Sequence, residues 1–230
     1  MIDGKRVLGL IPARAGSQGL PGKNMRPLAG RPMISWTLAA GQASATIDRL
    51  VVTTDDDAII ALAAQMGVET LRRPAELADA KASVINAIDH ALTALGGEWD
   101  YVVLLQPTSP LRTADDIDGA VSLCHDCSAP SVIGVSPMSK PPGFYGSVGP
   151  DGLWVRNDPG ADEAVIINGA IYVGRPDTLR RDRSFQSEGT LAWTLPPERG
   201  WDVDTLFDFV VCEALWPHVQ SGEDLGGVRR

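Results

Sequence analysis

Three groups of residues in this sequence have types and spacings suited to chemistry. The first is "LIPARAGSQGLPGKN", Leu10 to Asn24, where Gly16, Gly19 and Gly22 alternate with Arg14, Ser17 and Lys23. Glycines let a backbone turn tightly and aim its N–H groups at one point, a nest that holds phosphate. Arg14 and Lys23 would add fixed positive charge. The spacing is neither a Walker loop nor GxGxxG, so the residues alone leave a phosphate cradle and a plain glycine turn both open. The second group is "QPTSPLR", 106–112, in which two prolines stiffen a loop and Gln106, Thr108, Ser109 and Arg112 supply donors. Its plain alternative is a well-capped turn. The third is "DVD", which sets Asp202 and Asp204 two apart. Side chains two apart on an extended segment point the same way. Two such carboxylates facing a phosphate site would hold Mg²⁺, although a two-spaced acidic pair is also an ordinary surface feature. A further run, Asp55–Asp57, reads as a helix start, with Asp55 at a strand end and within reach of the site.

Charge supports a reserved anion site. The chain carries a net charge of −9 over 230 residues, yet residues 1–31 hold six Lys and Arg against one acid, Asp3. An acidic surface repels nucleic acid and anionic membrane, and no partner of either kind is expected. At 44% hydrophobic and 21% charged, the composition is that of a globular protein. No apolar run approaches the ~20 residues of a membrane helix, and the N-terminus does not read as a signal peptide. Three cysteines are too few for a disulfide framework and fit a reducing cytoplasm. Cys124 and Cys127 form a CxxC with no second pair, which reads as the end of a helix rather than a metal site. His90, His125 and His218 are scattered over expected helices and form no catalytic arrangement.

The elements that must position these groups alternate. Short continuous apolar runs at 6–13, 50–55 and 101–107 suit buried parallel strands. Helical spacing fills 32–44, 56–67, 81–97 and 113–126; Thr113 with Asp116 three residues on predicts a capping box. Strand, helix, strand, helix is the pattern of a mostly parallel α/β sheet sandwiched by helices. Further strands are expected at 131–136 and 165–174, and a closing helix within 199–219. Between them 137–164 is rich in Pro and Gly, and its "GPDG" predicts a β-hairpin insertion. The expected organisation is therefore a core of 1–136 and 165–230 with a small insertion at 137–164. In a sheet of this kind ligands sit beyond the carboxyl ends of the strands, and all three chemical groups fall there.

Taken together these segments resemble the CMP-N-acylneuraminate (CMP-sialic acid) synthetases, a family of cytidylyltransferases. Arg14 to Asn24 resembles their first motif, R-x-G-S-K-G-x-P-x-K-N. "VVTTDD" (51–56), "RRPAELADAKAS" (72–83), "LLQPTSPLRT" (104–113), "NGAIYV" (168–173) and "WDVDT" (201–205) follow in the family's order and spacing. The resemblance spans about 6–216. It implies a Rossmann-like nucleotide-diphospho-sugar transferase fold and transfer of CMP from CTP to the anomeric hydroxyl of a nine-carbon 2-keto sugar acid, with release of pyrophosphate. It implies that Arg14, Gly16, Ser17, Gly19 and Lys23 hold the triphosphate, with Asn24 near the ribose or base. Arg73 would read cytosine, and Ala82 and Ser83 would line the base pocket. Gln106 would touch the acceptor, and Asp202 and Asp204 would bind Mg²⁺, with Asp204 also orienting or deprotonating the hydroxyl. The segment 137–164 would form a homodimer and cap the partner's sugar site.

The departures concentrate on the acceptor side. Phe144 and Ile166 stand where relatives carry Lys and Arg toward the sugar carboxylate, Asp158 or a neighbour replaces another basic residue, and Gln18 replaces the first motif's Lys. The acceptor is therefore open between a sialic acid and a legionaminic-, pseudaminic- or Kdo-type acid. Two other classes make distinct demands. A glycosyltransferase with a DxD motif would place it near mid-sheet without this first loop, and a non-catalytic nucleotide-binding protein would have lost Lys23 or one of the aspartates.

Overall fold

In the computed structural model the residues described are 2–16, 19–74, 83–156, 164–223 and 225. Strand β1 (Val7–Pro12) is the apolar run that opens the sequence, and Val7, Leu8, Leu10 and Ile11 are fully buried, as a strand covered on both faces requires. A two-stranded β2 (Pro27–Leu28) and β3 (Arg31–Pro32) follow, then α1 (Met33–Ala43), β4 (Arg49–Thr54), α2 (Asp57–Gln65) and β5 (Glu69–Arg72). Next come α3 (Val84–Leu95), β6 (Tyr101–Leu104), α4 (Ala114–Asp126) and β7 (Ser131–Pro137). The hairpin expected of Gly149–Gly152 joins β8 (Gly146–Val148) to β9 (Trp154–Arg156). The chain closes with β10 (Val165–Gly174), α5 (Pro176–Asp182), β11 (Leu191–Thr194) and α6 (Leu206–Ser221).

The main sheet has seven strands in the order β11-β7-β10-β6-β1-β4-β5. All pairings are parallel except those of β10, which runs antiparallel to both β6 and β7. The beginning of β10 therefore lies at the same sheet edge as the carboxyl ends of β1, β4, β6 and β7. Helices α1, α2 and α4 pack Ile34, Leu38, Ile59, Ile117 and Val121 on one face of the sheet. On the other face, α3 and α5 pack Ile85, Ile88, Leu92 and Leu179. Each such side chain contributes about 1.5–3 kcal/mol by leaving water.

A third apolar cluster lies at the carboxyl edge, where Leu20 and Leu28 meet Met33, Leu111, Val203, Phe209 and Cys212. It ties the first loop to the last helix. The capping box expected at Thr113 and Asp116 is present on α4. Cys127 is the C-cap of that helix, the helix end that the CxxC predicts.

Candidate active site

The first loop leaves the sheet under restraint. Ala13 N–H donates to Thr53 O at 3.0 Å, and Ala15 N–H donates to the Asp55 carboxylate at 2.9 Å. Asp55 thus anchors the loop from the end of β4, and Asp56 beside it caps α2 by accepting from Ala58 and Ile59. Gly22 has φ +67, a left-handed turn that favours glycine, and it delivers a short 3-10 turn over Lys23–Met25. Asn24 in that turn is buried, and its Oδ1 has no hydrogen-bond partner.

Some 180 residues later the chain returns to the same place. Val203 N–H donates to Thr108 O at 2.8 Å, so the "DVD" segment is stitched to the "QPTSPLR" loop. Lys23 Nζ donates to Asp204 Oδ1 at 2.7 Å and to Val203 O at 3.0 Å. Asp208 fixes the backbone from the other side: its Oδ2 accepts from the N–H groups of Asp204 (3.1 Å) and Thr205 (2.7 Å) in the capping box of α6. Burial opposes ionisation of Asp208, but the Thr205 hydroxyl, which donates to the same oxygen at 2.7 Å, and these backbone bonds outweigh it and hold its carboxyl below the usual range. Gly19 packs on this segment so closely that a Cβ there would lie 2.4 Å from Asp204 O. Gly19→Ala must therefore push the loop off the Asp204 backbone. The expected result is a loss of about a hundredfold in kcat/KM, because small misplacements of reacting groups are that costly. Steady-state kinetics beside a thermal melt will separate this from unfolding.

Asp202 is the electrostatically costly member. Burial pushes its carboxyl above the usual range; the Thr108 hydroxyl draws it down, the Asp204 charge adds to the rise, and Lys23 partly offsets it. Its Oδ1 is buried with no hydrogen-bond partner. A buried, unpaired carboxylate oxygen beside a second carboxylate is a donor set that fits a hard cation. Among the described residues no third His, Cys, Asp or Glu joins the pair. That suits an ion which keeps water and substrate oxygens in its remaining positions, as Mg²⁺ does.

Two hollows meet here. A cleft of about 450 Å³ is lined by Arg14, Gly19, Lys23, Asn24, Gln106, Thr108 and Asp204, together with Pro12, Pro107 and Thr205. A second hollow of about 640 Å³ is lined by Gln106 and Asp202 with Ser136, Met138, Tyr145, Ile166, Ile167, Asn168, Tyr172 and Trp201, among others. Gln106 belongs to both. No Lys, Arg or His lines the second hollow among the described residues, and Ile166, 57% exposed, faces it. Asn168 is held in place there, donating from Nδ2 to Ser136 Oγ at 3.0 Å and accepting from Ala170 N–H at 3.0 Å.

The remaining residues singled out from sequence are placed as follows. Arg73 is buried at the end of β5, its Nε and Nη2 donating to the Thr53 hydroxyl (3.4 Å) and carbonyl (3.0 Å). Burial lowers its pKa, Asp55 raises it and Arg14 lowers it, so the three charges are close neighbours. Gly16 is exposed and does not line either hollow. Ser83 is the N-cap of α3, accepting from Ile85 N–H at 3.2 Å. Ser17, Gln18, Ala82 and Asp158 lie outside the described residues. Arg112 is not a donor to the cleft. It is 3% exposed and donates to Ala170 O, Gln106 O and the Thr37 hydroxyl. Its role is to tie the loop to β10 and α1. The sequence reading also passed over Asp208, whose Thr-x-x-Asp spacing after "WDVD" is a visible capping signal, and over Asn168, Tyr172 and Trp201, which only tertiary folding brings to the hollow.

Comparison with known proteins identifies the family. Residues 8–135 match the family model described as Cytidylyltransferase. The chain is 35% identical, over 91% of its length and 96% of the relative's, to a CMP-N,N'-diacetyllegionaminic acid synthase from Legionella pneumophila. It is 32% identical to an N-acylneuraminate cytidylyltransferase from Streptococcus agalactiae, over 87% of this chain and 51% of that protein, so it spans about half the length of that relative. In fold it is similar to a CMP:2-keto-3-deoxy-manno-octonic acid synthetase structure, with a TM-score of 0.71 at 18% identity over 93% of this chain and 99% of the other. On the strength of these matches the chain belongs to the cytidylyltransferase family and is a nucleotidyltransferase.

Proposed function

We propose that the protein transfers CMP from CTP to the anomeric hydroxyl of a sialic-acid-like 2-keto sugar acid and releases pyrophosphate. The observation that carries this reading is the junction of the two hollows, where Lys23, Asp204 and the unpartnered Asp202 oxygen converge beside Gln106. The cleft takes the nucleotide: Arg14 and Lys23 face the triphosphate, Asn24 the ribose or base, and Arg73 the cytosine; Gly19 lines the cleft as well, and Gly16, Ser17, Ala82 and Ser83 are assigned to CTP on their motifs alone. The second hollow takes the acceptor, with Gln106 positioning it. The acceptor oxygen forms its bond to the α-phosphorus as the bond from that phosphorus to the bridging oxygen breaks, in line, and pyrophosphate leaves. Donors fixed beforehand, Arg14 and Lys23, meet the charge that develops on the phosphate oxygens. Asp204 orients the acceptor hydroxyl and takes its proton. Asp202 and Asp204 would hold Mg²⁺, which supplies charge neutralisation at the phosphates when bound.

Within the acceptor class, the aliphatic Ile166 and Ile167, in a hollow whose described lining holds no Lys, Arg or His, favour an acid that is rich in acylamino or deoxy groups. The Legionella relative's name points the same way. Within the insertion, Phe144 (74%), Val148 (71%) and Val155 (56%) are exposed, an apolar surface that supports a role as the homodimer contact. No helix among the described residues is long and apolar enough to cross a membrane, and we place the reaction in the cytoplasm, where CTP is available. The test is pyrophosphate release with CTP and a panel of N-acetylneuraminate, diacetyllegionaminate, a pseudaminate and Kdo. Release with one or more acids, and none when UTP, ATP or GTP replaces CTP, is the expected result. No release with any acid would overturn the reading.

A further inference from the structure

Lys23 and Asp204 are each assigned to a different ligand, the triphosphate and the metal, yet in the free enzyme they hold each other at 2.7 Å. We propose that Lys23 couples the two ligands: it occupies the carboxylate the metal needs until the triphosphate of CTP draws the lysine away. The proposal rests on the reading of Asp202 and Asp204 as the metal pair.

The geometry specifies which part moves. An ammonium has three donors, and Lys23 uses one on Asp204 Oδ1 and one on Val203 O. The Lys23 side chain is 12% exposed whereas that of Asp204 is 69% exposed, so the lysine is the enclosed partner and the carboxylate the open one. The Asp204 backbone is gripped by Asp208 and by the close approach of Gly19. The exchange is therefore one of side-chain rotation about a held Asp204 backbone. A divalent cation arriving alone meets a positive charge already bonded to its ligand oxygen. A triphosphate in the cleft offers Lys23 several negative oxygens in place of one, and the freed Asp204 then stands beside the unpartnered Asp202 Oδ1. Coupling of this kind is reciprocal: whatever nucleotide does for metal binding, metal does for nucleotide binding.

CTP chelates metals in solution, so the test is made on each ligand separately. Mn²⁺ binding to the nucleotide-free full chain is measured by the EPR signal of the free ion, for the wild type and for Lys23→Gln, Arg14→Gln, Asp202→Asn and Asp204→Asn. Arg14 lines the same cleft and makes no hydrogen bond to Asp204, so it controls for simple loss of positive charge. Lys23→Gln is expected to tighten Mn²⁺ by about fivefold or more, while Arg14→Gln leaves it near the wild-type value. A second measurement does not depend on the lysine variant folding. In EDTA, Asp204→Asn should bind CTP more tightly than Asp202→Asn does, because of the two carboxylates it is Asp204 that is hydrogen-bonded to Lys23. Equal effects of Lys23→Gln and Arg14→Gln on Mn²⁺, with binding still dependent on Asp202 and Asp204, would overturn the coupling and leave the metal site standing. Mn²⁺ binding indifferent to both aspartates would overturn the metal reading and the coupling with it.

Discussion

Asp202→Asn is expected to lower kcat/KM for CMP transfer by about three orders of magnitude while raising the melting temperature of the nucleotide-free protein at pH 7. The first half follows from the proposed role of Asp202 as a metal ligand. Charge neutralisation by a bound cation supplies several kcal/mol to such a reaction, and 1.36 kcal/mol is tenfold in rate. The second half follows from linkage. Burial raises the Asp202 pKa in the folded protein above its unfolded value. The folded state therefore binds this proton more strongly, and stability falls as pH rises from the unfolded pKa through the folded one. Ionised, the carboxylate is half-buried with Oδ1 unpartnered, so removing its charge relieves a penalty. The gain should shrink as pH drops through the carboxylate range, where wild-type Asp202 becomes neutral by itself. Melting curves from pH 7 down to pH 4 on both proteins check the sign. An equal difference at every pH would show that charge burial is not the cause.

The largest loss of stability is expected at Arg112. Its guanidinium is enclosed, and burial lowers its pKa to about 9, opposed by the charges of Asp116 and Asp202. It therefore stays ionised at pH 7. Arg112→Ala would leave Ala170 O, Gln106 O and the Thr37 hydroxyl without their donor and open a void. It would also strip Asp116 of one of two nearby cations, the other being Arg199 at 3.2 Å. Breaking a buried charged contact of this kind costs about 3–5 kcal/mol. For a chain of this length each kcal/mol shifts Tm by about 2–4 °C. A fall of roughly 6–20 °C is expected in a thermal melt, together with weakened acceptor binding, since Gln106 loses the anchor on its carbonyl. A variant with wild-type Tm would show that the three acceptors find other donors.

Arg112 also marks where sequence reading stops. As one of several polar residues in a loop after a strand, it read as a ligand donor. Its acceptors on β10 and α1 are 58 and 75 residues away, and no local pattern announces them. Features with local causes were legible: the buried runs of β1, β4 and β6, the Thr113 cap, and the Gly149–Gly152 turn. The strand β5, a sheet-edge "ETLR" with no buried residue, carried too little apolar signal to be noticed. The same holds for β11, another edge strand, and for the seven residues of α5. Arg14, Lys23, Gln106 and the Asp202–Asp204 pair stood out because their types and spacing are unusual. The bond between Lys23 and Asp204 did not, because it joins residues 181 apart. The direction of β10 was hidden for the same reason: ten residues of strand pattern do not say which way the strand runs.

That direction has a consequence for how such an enzyme can diversify. A strand laid the other way would have sent residues 165–169 to the far end of the molecule. Reversed, it lets residues 136–139, Tyr145 and residues 166–169 line the second hollow together. The first cleft, the proposed nucleotide site, draws instead on Pro12, Arg14, Gly19, Lys23 and Asn24 with residues 106–108 and 204–205. On the proposed assignment of the two hollows, donor and acceptor recognition are thus written largely on separate cassettes of the chain. A new sugar can be adopted by rewriting one of them while the machinery that handles CTP is inherited intact.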